Sequence, residues 1–102
     1  MILHCVFLRF KTATQAAEKQ AIYDSLVALK DVTPGILDVK SGPNVSPESL
    51  NGGFRDGFIV SFENAEARDA YLVHPDHVAL GDRIVAATDG GLGGLMVFDM
   101  DV

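Results

Sequence analysis

Apolar and polar positions change rhythm several times along the chain, and each change marks an element. Residues 2–10 (Ile-Leu-His-Cys-Val-Phe-Leu-Arg-Phe) are rich in β-formers and short for a helix, so they predict a strand. Ile2, His4, Val6, Leu8 and Phe10 share one of its faces, and Leu3, Cys5 and Phe7 the other. Thr12-x-x-Gln15 then has the spacing of a capping box, in which both side chains satisfy orphan backbone N–H groups at a helix start. Ile22, Leu26 and Leu29 recur at helical intervals, with Val27 widening the stripe. Residues 14–30 therefore predict a helix with one apolar face, which Pro34-Gly35 ends.

Residues 36–43 predict a second strand and the polar, turn-rich stretch 44–55 a loop. In 57–63, Phe58, Val60 and Phe62 alternate with smaller or polar neighbours, which predicts a third strand. Asn64 is placed to cap a short helix over 65–73. Pro75 suits the first turn of another helix, reaching about Ala87, and Asp76 favours the positive end of its dipole. Gly90-Gly91-Leu92-Gly93-Gly94 is a turn before a last strand over 95–100. The order is β-α-β-β-α-β, with the second helix broken at His74-Pro75. This is an α+β, ferredoxin-like arrangement: a four-stranded antiparallel sheet with helices on one face. At 102 residues, 1–102 is one domain.

The first and last strands are apolar on both faces, because Met96, Phe98 and Met100 lie opposite Leu95 and Val97. Helices cover only one face of such a sheet, and monomers rarely leave a large apolar patch in water. The pattern predicts a homodimer packed sheet against sheet, a dimeric α/β barrel. Eight Lys and Arg against fourteen Asp and Glu give a net charge of −6. That charge, with the basic residues scattered along the chain, argues against a nucleic-acid backbone or an anionic membrane surface as partner. No apolar stretch approaches the ~20 residues of a membrane-spanning helix, and the short apolar run after Met1, which ends at Arg9 and Lys11, is not expected to be a signal peptide. The single cysteine, Cys5, sits among apolar positions and reads as a buried thiol. A cytoplasmic location is expected.

Candidate chemistry concentrates in Tyr71-Leu72-Val73-His74-Pro75-Asp76-His77. His77 lies in the first turn of its helix with Leu80 and Ile84 at +3 and +7, so it shares their side. A histidine there serves as a general base or as a hydrogen-bonded core residue. Tyr71 can donate to a developing oxyanion, orient His77, or simply fill the core. His74 precedes proline, which pushes its backbone out of the helical region, so it caps or braces the break. His4 either lines a pocket or satisfies a buried contact. His74-x-x-His77 has some likeness to metal-ligand spacing, but the proline between them and the lack of a Cys or carboxylate cluster argue against a metal. The glycine run at 90–94 leads into a strand rather than a helix, so it offers no anion site. Glu63, Glu66, Arg68 and Asp69 read as a solvated helix face.

Several segments together resemble the stress-responsive A/B barrel (Dabb) family of dimeric α/β barrels. They are His4-Cys5-Val6-Phe7-Leu8-Arg9-Phe10-Lys11, Pro34-Gly35, Gly42-Pro43-Asn44-Val45-Ser46-Pro47-Glu48, Gly57-Phe58, the Tyr71–His77 stretch and Val97-Phe98-Asp99. The resemblance implies a homodimeric barrel. It also implies kinship with a plant polyketide cyclase that performs an aldol condensation without metal or cofactor. The positions matching that enzyme's polar site are His4, Tyr71 and His77. One departure stands out: where the family often has a histidine before the third strand, this chain has Asp56, in Gly53-Phe54-Arg55-Asp56.

Two readings of function remain open. In one, the dimer holds a small apolar or aromatic ligand between sheet and helices. His77 is then the base, Tyr71 its polar partner, and His4 and His74 contact the ligand. Any reaction is a cofactor-free cyclase- or lyase-like one. In the other, the protein is a non-catalytic, stress-associated structural dimer.

Overall fold

The computed structural model describes residues 1–102. Its strands are β1 (Ile2–Leu8), β2 (Ile36–Pro43), β3 (Asp56–Phe62) and β4 (Leu95–Asp101). Its helices are α1 (Ala16–Ala28), α2 (Ala65–Val73) and α3 (Pro75–Ala87). The four strands form one antiparallel sheet in the order β2-β3-β1-β4, the ferredoxin-like arrangement.

One face of the sheet carries the helices and the core. Ile2, Val6 and Leu8 of β1 and Phe58, Val60 and Phe62 of β3 are all buried there. Ile22, Leu26 and Leu29 close over them from α1 and the turn that follows it. Val27 is half exposed, because five residues past Ile22 at about 100° each places it about 140° round the helix. The other face has no helix over it. Met96, Phe98 and Met100 are 44%, 55% and 41% exposed, and Leu3, Phe7 and Ile59 lie on the same side, only partly buried. Cys5 is buried on this face, and burial first, then the Asp99 carboxylate, raises its thiol pKa.

Several boundaries differ from the sequence pattern for physical reasons. The capping box does not form: α1 starts after Gln15, and no side chain caps it. A turn from Lys11 to Thr14, closed by the Thr14 N–H on the Lys11 carbonyl, keeps Thr12 outside the helix. β1 ends at Leu8 because the chain crosses to residues 87–94. The Arg9 and Lys11 amides bond the Gly94 and Ala87 carbonyls, and Phe10 bridges Thr88. The glycine turn closes as a short 3-10 helix, Gly91–Gly94. β2 has a register irregularity between Ile36 and Asp38, which leaves Leu37 half exposed. Gly35, at φ +92°, immediately precedes this strand, and a Cβ there would meet Ala67 Cβ at 2.5 Å.

Candidate functional site

The α2–α3 break builds one side of the site. Pro75 has no N–H, and His74 is extended at φ −66°, ψ 133°, so α2 stops and α3 begins with proline in its first turn. The Asp76 N–H donates to His74 Nδ1 at 3.1 Å, so His74 is the cap of α3. At the other end of α2, Asn64 accepts from the Ala67 N–H, as its position in the sequence predicts.

The same break lays the first turn of α3 against the last turn of α2. The rings of His77 and Tyr71 meet with centroids 4.3 Å apart, tilted by 46°. His77 Nδ1 lies 3.1 Å from the Leu72 carbonyl, which can only accept, so Nδ1 carries the proton. Nε2 is then the unprotonated, basic nitrogen. Burial lowers the His77 pKa, the Leu72 bond opposes this, and His4 and His74 lower it further. Tyr71 is 1% exposed, and burial alone raises its hydroxyl pKa far above the ordinary value. The pair is therefore a neutral imidazole beside a protonated phenol. Tyr71 touches His77 ring to ring, while the backbone of Leu72 sets the imidazole's tautomer.

β1 and β4 supply the other side. Their register sets His4 opposite Asp99 on the helix-covered face. His4 Nδ1 and Asp99 Oδ1 are 2.7 Å apart, and Arg68 Nη1 donates to Asp99 Oδ2 at 2.7 Å. Arg68 Nε also donates to Asp69 Oδ1 at 2.7 Å. Burial raises the Asp99 pKa, but hydrogen bonds from Arg68 and His4 outweigh it and hold the carboxyl below its ordinary value. The His4 ring stands edge-on to Tyr71 at 6.0 Å and to Phe62 at 6.2 Å.

His4, Tyr71 and His77 thus gather on one side of the sheet, with His74 at the adjoining break. Sequence reasoning missed two members of this network, Arg68 and Asp99. Arg68 is no part of a freely solvated face: its side chain is 23% exposed and tied to Asp99. The one available signal was an aspartate interrupting the apolar run of β4. Asp56 stands apart, opposite Leu8 at the far end of β1, and binds Lys19 Nζ at 3.2 Å. Nearby, the Tyr23 hydroxyl is buried without a partner, its pKa pushed up to about 12 by burial and then by Asp56.

Two of the structure's cavities have volumes of about 440 and 450 Å³. The first lies largely on the helix-free side under the 44–55 loop, against Phe7, Phe54, Ile59 and Met96. The second lies between α1 and α3. Neither is lined by His4, Tyr71 or His77. Phe62 packs on Tyr71 with ring centroids 5.0 Å apart. No group of three or more His, Cys, Asp or Glu side chains is gathered as a metal-binding set. No helix is long and apolar enough to cross a membrane.

Residues 2–102 match the model of the Stress Responsive A/B Barrel Domain. The olivetolic acid cyclase of Cannabis sativa is 31% identical over 81 residues, which are 79% of this chain and 80% of the cyclase. A dimeric ferredoxin-like protein of unknown function from Jannaschia sp. CCS1 is 30% identical. It superimposes with a TM-score of 0.88, over 99% of this chain and 98% of its own. The hydroxynitrile lyase of Passiflora edulis shares the fold at 17% identity, with a TM-score of 0.86 over 99% of this chain and 92% of its own.

Proposed function

Because the chain belongs to the stress-responsive A/B barrel family, we propose a homodimeric barrel protein that takes a small apolar or aromatic carbonyl compound between sheet and helices and performs cofactor-free acid/base chemistry on it. The observation that carries this is the His77–Tyr71 pair. Its imidazole is held neutral with Nε2 bare, and it lies against a phenol held protonated. His77 Nε2 removes a proton α to a carbonyl, and the Tyr71 hydroxyl donates to the enolate oxygen that forms. The enolate carbon then bonds to a second carbonyl carbon of the same molecule, and the imidazolium returns its proton to the new alkoxide. His4 contacts the ligand from β1, and His74 offers its remaining ring nitrogen at the rim.

The cyclase relative supports this reaction class, and the dimeric solved relative supports self-association. A single cysteine suits the reducing cytoplasm, where we place the protein. The net charge of −6 supports a neutral ligand and no nucleic-acid partner.

The test is α-proton exchange of 1-phenylbutane-1,3-dione in D₂O, followed by NMR. The wild type is expected to exceed the buffer rate. His77→Gln should lose that excess by a factor on the order of 10²–10⁴ while remaining folded. A wild-type rate equal to buffer, or an undiminished His77→Gln rate, would overturn the reading.

The ring packing around Tyr71 favours the second reading: a non-catalytic structural dimer in which the pair braces the helix break. Bracing predicts that His77→Gln lowers stability by roughly 1–3 kcal/mol, with no exchange activity to lose.

A further inference from the structure

One row of residues crosses the helix-free face from β2 to β4: Gly42, Gly57, Phe7 and Met96 stand opposite one another in register. Two of the four have no side chain. The Phe7 ring leans over Gly57, where an added Cβ would meet its Cδ1 at 2.9 Å. A Cβ on Gly42 would meet nothing within 4 Å. The sheet is hollow at this point, and the hollow is the floor of the 440 Å³ cavity under the 44–55 loop. That volume is in the range of small-molecule sites. The loop that walls it is anchored. The Asn44 N–H donates to the Arg55 carbonyl at 2.7 Å, and the Arg55 N–H to the Leu8 carbonyl at 3.2 Å. The Arg9 guanidinium lies 5.1 Å from the Phe54 ring centroid and donates to the Gly93 carbonyl at 2.7 Å, which ties this wall to the turn before β4.

The polar groups at this cavity are donors. Asn44 and Asn51 spend their Oδ1 atoms on the N–H groups of Ser46 and Gly53, which leaves the amide Nδ2 atoms to donate. Lys40 pairs with Ile59, so it stands on the same face, and its only carboxylate neighbour is the exposed Asp38 at 3.6 Å. Asp56 also borders the cavity, but the pleat turns its side chain to the helix-covered side, where Lys19 holds it. Leu50 lines the cavity and is 83% exposed, so a guest would give it the apolar contact that the chain does not. We propose that this cavity is a second small-molecule site, apart from the His77–Tyr71 pair, and that it takes a neutral planar aromatic molecule bearing a carbonyl or amide oxygen. The ring lies against Phe7 and Phe54 over the two glycines, and the oxygen accepts from the asparagine amides and Lys40. The net charge of −6 disfavours an anion in the same place.

The experiment is a titration of ¹⁵N-labelled protein with 2-naphthamide, followed by amide ¹H–¹⁵N correlation spectra. Saturable shifts are expected at Gly42, Phe54 and Gly57. Naphthalene, the same rings without the acceptor, should bind more weakly by a factor of about five to ten. Gly42→Leu fills the hollow and should weaken binding at least tenfold. Leu50→Ala, at an exposed position that leaves the fold alone, should weaken it several-fold. A wild type with no saturable shifts overturns the proposal, and so do shifts gathered at Tyr71–His77 instead. A folded Gly42→Leu that binds as the wild type does also overturns it. Binding by a Phe98→Asp monomer but not by the wild type would give the cavity to the partner copy and overturn the small-molecule reading. None of these outcomes depends on α-proton exchange, so this site and the proposed chemistry stand or fall separately.

Discussion

Folding takes His77 partly out of water and lowers its affinity for a proton, which ties stability to pH. Below the ordinary histidine value of 6.5 the unfolded chain binds a proton that the folded chain resists. The contribution is full above pH 6.5 and is lost as pH falls from there toward the lower folded value. Urea unfolding across this window should show stability falling with acidity, by at most about 1.4 kcal/mol per pH unit for one proton. His77→Gln should flatten that slope. Asp99 acts in a separate window, because its folded value lies below 3.8 and its contribution is lost only as pH falls below that. The histidine and tyrosine were legible in the sequence because they crowd a short stretch around a proline. Their partners were not. Leu72 contributes a backbone carbonyl that any residue would supply, and Arg68 and Asp99 meet only through a tertiary contact across the α2–β4 layer.

At the scale of elements, the α2–α3 break depends on one imidazole that accepts a backbone hydrogen bond. His74→Ala should cost about 1 kcal/mol, whereas His74→Asn should keep most of that stability, because asparagine caps as well as any residue. Chemical denaturation of the two variants checks this, and equal losses would sink the capping role. Caps and breaks signalled by strong local chemistry, such as Asn64 and Pro75, were readable in the sequence. Thr12 was not a sound guide, because the turn that excludes it is fixed by where Ala87 and Gly94 lie rather than by residues 12–15. Leu37 was placed in the second strand without sign of the irregularity that leaves it exposed. A break in register involves both strands, and one strand's alternation does not record it.

At the scale of the molecule, the helix-free face is the feature that asks for a partner. Phe98, Met96 and Met100 stand on the edge strand β4, with Phe7 and Leu3 on β1 beside it. Phe98→Asp places a charge in the middle of this surface. It should shift the protein from dimer to monomer at micromolar concentration, read by sedimentation equilibrium. An unchanged mass would show that the chain associates through another surface. The two-faced apolar pattern of the first and last strands made this face legible from sequence. The positions of the cavities were not legible, because they depend on how the 44–55 loop and the helices settle over the sheet.

The strand order also sets when the molecule can become itself. β1, the first strand of this chain, pairs with β3 and with β4, the last, and His4 and Asp99 are 95 residues apart in sequence. During synthesis, the adjacent β2 and β3 can meet early, while β1 waits for a neighbour made much later. Until β4 emerges, the central apolar strand has one bare edge and is open to pairing with other chains. Folding should therefore be slow for a chain of this length, and the polar network of the site should be the last part of the molecule to assemble.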